Sequence, residues 1–346
     1  MQIPIENIYY LLCYAWDQVS YKDKVPVDAE HVSTPLDLLA HLMIQETTLL
    51  LKKGIDQHYQ EEIREVSGLK GKFLFSQTVK NNLLLHQRTI CSYDEFSADI
   101  LSNRIWIATL KRLLHFKEVN KPLKYKIVAL LRMMPPVTPL RITAAHFNEV
   151  PFNRNNRFYS FILNICRLIY ECSIPTEEEG EYLFMDFTRD EKKMALLFEA
   201  FVRNFYKLEQ HTYSVSRERI KWQLKAKEDE HRRFLPRMET DISLENEREK
   251  IIIDTKYYTQ TLTSHYDTDK IYSANLYQLF SYLMNQKDQS GKSLSATGIL
   301  LYPTIDREYD LEYQYEQHPI RIHTLNLNTH WTQISHRLKE IIRVES

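Results

Sequence analysis

The chain is expected to fold as a mixed α/β protein, α+β overall, with a mixed α+β N-terminal part and a C-terminal core in which helices and strands alternate. Three observations carry this. Apolar residues recur at helical spacing through much of the first half, strand-like runs cluster after residue 210 between two amphipathic helices, and the 346 residues include only six glycines and 12 prolines. A chain this long suits two or three domains of ~100–200 residues each.

Ile5, Ile8, Tyr9, Leu12, Ala15 and Trp16 mark a helix over 5–18. A second spans about 34–52, with Ser33 or Thr34 as its cap and Pro35 in its first turn. Residues 61–77 alternate loosely, and GLKGKFLF reads as a turn entering a strand. Helical periodicity returns over 98–117 and 121–134, stopped by Pro135-Pro136, and again over 155–172. The proline, acidic run and glycine of SIPTEEEGE place a border there, giving an N-terminal domain 1–172, a linker 173–193 and a C-terminal domain 194–346. In the latter, a helix at 194–208 precedes the strand-like runs TYSVSRERIKWQL, RMETDISL and KIIIDTKYY. A helix at 275–286, strands at 297–305 and 320–327, and a closing helix from Trp331 complete the order.

Composition excludes several classes. Lys and Arg number 45 against 46 Asp and Glu, so any nucleic-acid site must be a local patch. No run nears the ~18 apolar residues of a membrane span, and Glu6 and Asn7 stand where a secretion signal carries basic residues, so a cytoplasmic protein is expected. The four cysteines form no CxxC and read as reduced thiols. Gly291-Lys292-Ser293 lacks the glycine that a phosphate-binding loop needs five residues earlier, and no GxSxG, HExxH or GxGxxG motif occurs.

The informative segment is RMETDISLENEREKIIIDTKYY. Residues two apart on a strand share a face, which groups Asp254 with Lys256. A hairpin centred between Glu247 and Arg248 sets Asp241 opposite Asp254 and Glu239 opposite Lys256. Met238, Ile242, Ile251 and Ile253 would form the other, apolar face. Adjacent carboxylates repel unless a cation lies between them, and Mg2+ suits that place beside a lysine in phosphodiester hydrolysis. A solvated hairpin with a cross-strand Glu–Lys pair would use the same spacing. Gln278 and Tyr282 stand four apart on the next helix and reach the same sheet edge. Residues 203–237 hold ten Lys and Arg against five acids, which reads as a DNA path or a solvated surface, with Lys221, Arg232 and Arg233 as candidate DNA-binding residues.

Asp241, Asp254-Thr255-Lys256 and Gln278-x-x-x-Tyr282, in α-β-β-β-α-β order, resemble the PD-(D/E)xK nuclease superfamily and its RecB-like branch. The stretches IPIENIYYLLCYAWD, GLKGKFLF, LSNRIW, RMETDI, IIIDTKYY, NLYQLFSYL and LLYP resemble the McrC family of modification-dependent restriction nucleases along almost the whole chain. The resemblance implies that Asp241, Asp254 and Thr255 hold Mg2+ and that Lys256 is catalytic. Gln278, Tyr282 and Glu239 would support the site or contact DNA, and Glu199 would take an extra acidic role; Pro236 is not adjacent to Asp241, as the motif name would have it. It further implies a type IV endonuclease subunit cutting double-stranded DNA in a GTP-dependent, 5-methylcytosine-type system. Its partner would be an McrB-like AAA+ GTPase ring that binds the GTP, docked on and stimulated through residues 1–172. A RecB-like repair exonuclease needing no GTPase and a non-catalytic activator of the ring are the alternatives.

Overall fold

The computed structural model describes residues 3–19, 32–151, 159–176, 181–258, 263–265, 268–286, 290–306 and 308–343. They form two compact units, one of residues 36–185 and one that joins residues 1–35 to 186–346. The domain border expected at 173–181 is therefore displaced, and the first helix belongs with the C-terminal elements.

After α1 (Ile5–Ala15), the chain runs through α2 (Pro35–Lys53), β1 (His58–Ser67), β2 (Lys72–Phe73), α3 (Phe75–Lys80) and β3 (Arg88–Ser97). Then come α4 (Leu101–Leu114), α5 (Lys121–Leu131), α6 (His146–Glu149), α7 (Tyr159–Glu171), β4 (Ser173–Pro175) and β5 (Tyr182–Phe184). In the 36–185 unit, β1 pairs antiparallel with β3 over ten residues each, and β2 adds to the other side of β3. The turn before β2 requires glycine at position 71, where φ is +68° and a Cβ would lie 2.5 Å from Ser92 O. Trp106, fully buried in α4, donates its indole N–H to Thr47 Oγ1 at 2.9 Å and meets the Tyr159 ring edge-on. The expected linker is instead part of the fold, because β4 and β5 pair and α8 already begins at Glu191.

The second unit continues with α8 (Glu191–Glu209), β6 (Ser214–Ser216), β7 (Arg219–Ile220), β8 (Met238–Glu239), β9 (Ile242–Glu245) and β10 (Lys250–Thr255). It is completed by β11 (Thr263–His265), β12 (Thr268–Lys270), α9 (Ser273–Met284), α10 (Gly291–Leu294), β13 (Thr297–Thr304), β14 (Asp310–Tyr315), β15 (His318–Asn326) and α11 (Trp331–Ile341). Six strands form one mixed sheet in the order β14-β15-β13-β10-β9-β6, with β10, β13 and β15 parallel and the remaining pairs antiparallel. Every residue of β10 and β13 is buried, as befits central strands covered on both faces. Residues 287–289 lie outside the described residues.

Helices α8 and α9 set the two faces. Asp190 caps α8 by accepting from the amides of Lys192 and Lys193, and Phe198, Phe201 and Phe205 on its buried side are fully enclosed. On the other face Leu279, Tyr282 and Leu283 of α9 pack with Ile252, Leu300 and Ile320. Gly298 permits that approach, since a Cβ there would meet Leu283 Cδ1 at 2.9 Å. Met238, expected among the residues opposite Asp254, joins this α9-side cluster together with Ile252. The reason is that β8 leaves the main sheet and pairs with β7.

Helix α1 closes the unit. Tyr14 packs against Phe201, Phe205 and Trp331 at ring separations of 5.9, 5.4 and 5.2 Å, and Tyr10 stacks on Trp331 at 4.5 Å. Asn7 Nδ2 donates to the carbonyls of Leu327 and Thr329, each at 2.8 Å, and Asn204 Nδ2 donates to Tyr14 O at 2.9 Å.

Candidate active site

The hairpin register expected from the sequence holds where the strands pair: Lys250 faces Glu245 and Ile253 faces Ile242. The ladder then stops. Thr240 N donates to Glu218 O and Thr240 Oγ1 accepts from Glu218 N, each at 2.9 Å, drawing the chain away from β10 just before Asp241. Glu239 consequently does not sit opposite Lys256; it pairs with Arg219 in the β7–β8 ladder, and its carboxylate is 3.5 Å from Arg219 and 3.7 Å from Arg217. Asp241, at the gap, accepts from Thr255 N at 2.8 Å and Thr255 Oγ1 at 3.0 Å through Oδ2. The Thr255 hydroxyl thus serves Asp241.

Asp254 is completely buried. Lys256 Nζ lies 2.8 Å from Oδ2, whereas Oδ1 has no hydrogen-bond partner among the described residues. Burial pushes its carboxyl up to about 7, with Lys256 opposing and the charges of Asp241 and Glu199 adding to the rise. The lysine is fixed from its other side, donating to Gln278 Oε1 at 3.0 Å, and Gln278 Nε2 donates to Tyr282 OH at 2.6 Å. Asp254, Lys256, Gln278 and Tyr282 thus form one row between β10 and α9, as the i, i+4 spacing on the helix suggested. Burial also raises the Tyr282 phenol, partly offset by the Gln278 bond.

Glu199 approaches this row from α8 but is held by arginines, at 2.6 Å from Arg203 and 3.4 Å from Arg217. No three His, Cys, Asp or Glu side chains among the described residues converge as a preformed metal cage. What the site offers is smaller: the unpartnered Asp254 Oδ1 and the carboxylate of Asp241. Mg2+ is typically held by only one or two carboxylates, with water and phosphate oxygens filling its shell, so this donor set fits it.

Lys221 and Arg232 line a cleft of about 590 Å³ with Trp222 and Pro236, and Arg233 is exposed with its guanidinium 4.9 Å from the Phe234 ring. Two functional-looking residues, Lys250 and Glu218, escaped sequence reasoning. Lys250, only 4% exposed, lies 2.7 Å from Glu218 and donates to Gln286 Oε1 at 2.8 Å. A lysine opening an apolar run, on the same strand face as Asp254, was the available signal. The Lys250–Glu218 pair braces the very segment that places Asp241.

A family model described as McrBC 5-methylcytosine restriction system component matches residues 6–303. The chain belongs to that family. It is 32% identical over 339 residues to the Type IV methyl-directed restriction enzyme EcoKMcrBC of Escherichia coli (strain K12), spanning 98% of this chain and 97% of that protein. Among solved structures it is similar to a refined half-complex from a tetradecameric assembly of Thermococcus gammatolerans McrB AAA+ hexamers with bound McrC. That match has a TM-score of 0.59 and 16% identity over 98% of this chain and 76% of that one, and at such identity the likeness is one of fold. No described helix is long and apolar enough to cross a membrane.

Proposed function

We propose that the chain is the Mg2+-dependent endonuclease subunit of a GTP-dependent restriction complex, built on a PD-(D/E)xK core and working with an McrB-like AAA+ GTPase ring on double-stranded DNA. The observation that carries this reading is the buried, half-unpartnered Asp254, adjacent to the Thr255 that holds Asp241, with Lys256 set beside it by Gln278. A carboxylate kept in an apolar strand holds its proton tightly, and a cation beyond the one lysine would favour its charged form instead. Asp241 and Asp254 would hold the metal, which when bound polarises a phosphoryl oxygen and activates water. Thr255 keeps Asp241 aimed at the gap in the ladder. Lys256 presents an ammonium to charge developing on the phosphate, and Gln278, itself braced by Tyr282, keeps that ammonium at the site edge. Glu199 and Glu239, both neutralised by arginines, position Arg217 and are not assigned to the metal.

The unit of residues 36–185 would dock on the ring. It exposes large apolar side chains, among them Tyr59 at 74%, Leu69 at 74%, Phe75 at 62% and Leu85 at 82%, as a partner surface requires. The McrB of the similar structure is an AAA+ hexamer, and the relative from Escherichia coli is a methyl-directed restriction enzyme, which supports the partner and the type of system.

The deciding experiment supplies the full chain with linear modified duplex, Mg2+ and GTP, with and without the GTPase partner. Cleavage is expected only with the partner, and GTP turnover should be stimulated equally by wild type and by Asp254→Ala. Robust degradation by the chain alone would instead favour the RecB-like exonuclease reading. If the cleft by β7 carries the DNA path, replacing Lys221, Arg232 and Arg233 by Ala should weaken duplex binding. The slope of log K against log salt should fall by ~0.9 for each phosphate no longer neutralised, and an unchanged slope would return these residues to solvated surface.

A further inference from the structure

A cleft of about 240 Å³ lies within the 36–185 unit. Lys111, Arg112 and His115 from the end of α4 line it together with Arg141 from the extended segment that follows α5. No carboxylate is among the lining residues described, and none of these four side chains makes an ion pair with a described residue. The nearby Asp99 is already committed, to Arg104 at 2.6 Å and to the Thr138 amide and hydroxyl at 2.8 and 2.6 Å.

Arg112 is the centre of the arrangement. Its guanidinium is clamped between the rings of Tyr170 and Tyr182, 5.2 and 4.6 Å from their centroids. Burial disfavours its charge, and only the two phenols act in the opposite direction. Basic residues in a last helical turn do compensate the helix dipole. That effect accounts for Lys111 and Arg112 as exposed side chains, but it requires neither a tyrosine clamp nor Arg141 from a separate segment. A planar fork of donors, pre-oriented and without an acid to receive it, is the device proteins use for bidentate capture of an oxyanion.

We propose that this cleft binds a phosphate group, either of a DNA backbone or of a free phosphate compound. A phosphate offers more acceptor oxygens than a carboxylate, and a phosphate monoester also carries more charge, ~−1.5 to −2 near neutral pH. Three permanent cations and a histidine, converging from two segments, match that better than a single carboxylate.

The test uses the full chain and two variants, Arg112→Lys and the double variant Lys111→Gln/Arg141→Gln, whose substituted side chains are exposed. Thermal unfolding in inorganic phosphate is compared with chloride at matched ionic strength. Phosphate also stabilises proteins generally by exclusion, so the quantity read is the difference between wild type and variant. Wild type should gain a rise in Tm that the double variant lacks and Arg112→Lys retains only in part, each measured against its own melt in chloride, where wild type and the double variant melt alike because Lys111 and Arg141 are exposed. Duplex binding then identifies the source: a salt slope smaller by ~0.9 in the double variant for each phosphate it no longer neutralises marks a DNA backbone. An unchanged slope beside a phosphate-specific Tm rise marks a free phosphate compound. Equal responses of wild type and both variants to phosphate, with equal DNA slopes, would overturn the site.

Discussion

Asp254→Ala is expected to lower DNA cleavage on the order of 10³-fold, the scale of losing several kcal/mol of metal-derived stabilisation in the transition state. Asp241→Asn should do the same, with partner binding and GTP stimulation kept. The fold should not suffer. In the metal-free chain Asp254 binds its proton more tightly than in the unfolded chain, because burial raises its carboxyl to about 7. The folded state then holds more protons than the unfolded state between the usual carboxylate value and that raised one, so the contribution of this one group is full below about pH 4 and is lost as pH rises toward 7. Asp254→Asn removes this fall. Urea unfolding in chelator across that window should show the variant less pH-dependent than wild type and at least as stable near neutrality. A variant that cuts at wild-type rate, or that unfolds at neutral pH, would contradict the assignment.

Removing residues 1–18 is expected to unfold the unit that carries the candidate site, although that segment starts the chain and the strands come after residue 210. Ile8, Leu11, Leu12 and Tyr14 are buried, and each such side chain is worth about 1.5–3 kcal/mol when fully enclosed. The deletion also removes from Phe201, Phe205 and Trp331 a ring partner that all three share and leaves the Leu327 and Thr329 carbonyls without the Asn7 amide. Together these losses rival the ~5–15 kcal/mol net stability of a typical domain. Circular dichroism and solubility of the truncated chain check this. A truncated chain melting near wild type would restore the border expected from the sequence.

That helix illustrates what the sequence could reveal. Its period showed that one face is buried, but period says nothing about what covers it, and proximity along the chain suggested the wrong neighbours. The hairpin was more legible. A polar turn between two apolar runs fixed the register from Glu245 and Lys250 to Ile242 and Ile253. The same extrapolation failed two residues later, because Glu218 bonds to Thr240 from a distant segment and ends the ladder. Gln278 and Tyr282 were found since both lie on one short helix, where spacing alone sets the geometry. Strands β3 and β14 were missed because β3 is only partly buried and β14 is almost wholly exposed, so neither has the long apolar run that made β10 and β13 plain.

The most direct test of the proposed site is metal binding itself, measured as Mn2+ bound to the full chain by electron paramagnetic resonance and displaced by Mg2+. Wild type and Lys256→Ala should each bind the ion at the site, because the lysine is not a ligand, while Asp254→Ala and Asp241→Asn should lose it. Equal Mn2+ binding by wild type and Asp254→Ala would contradict a metal centre between these two carboxylates.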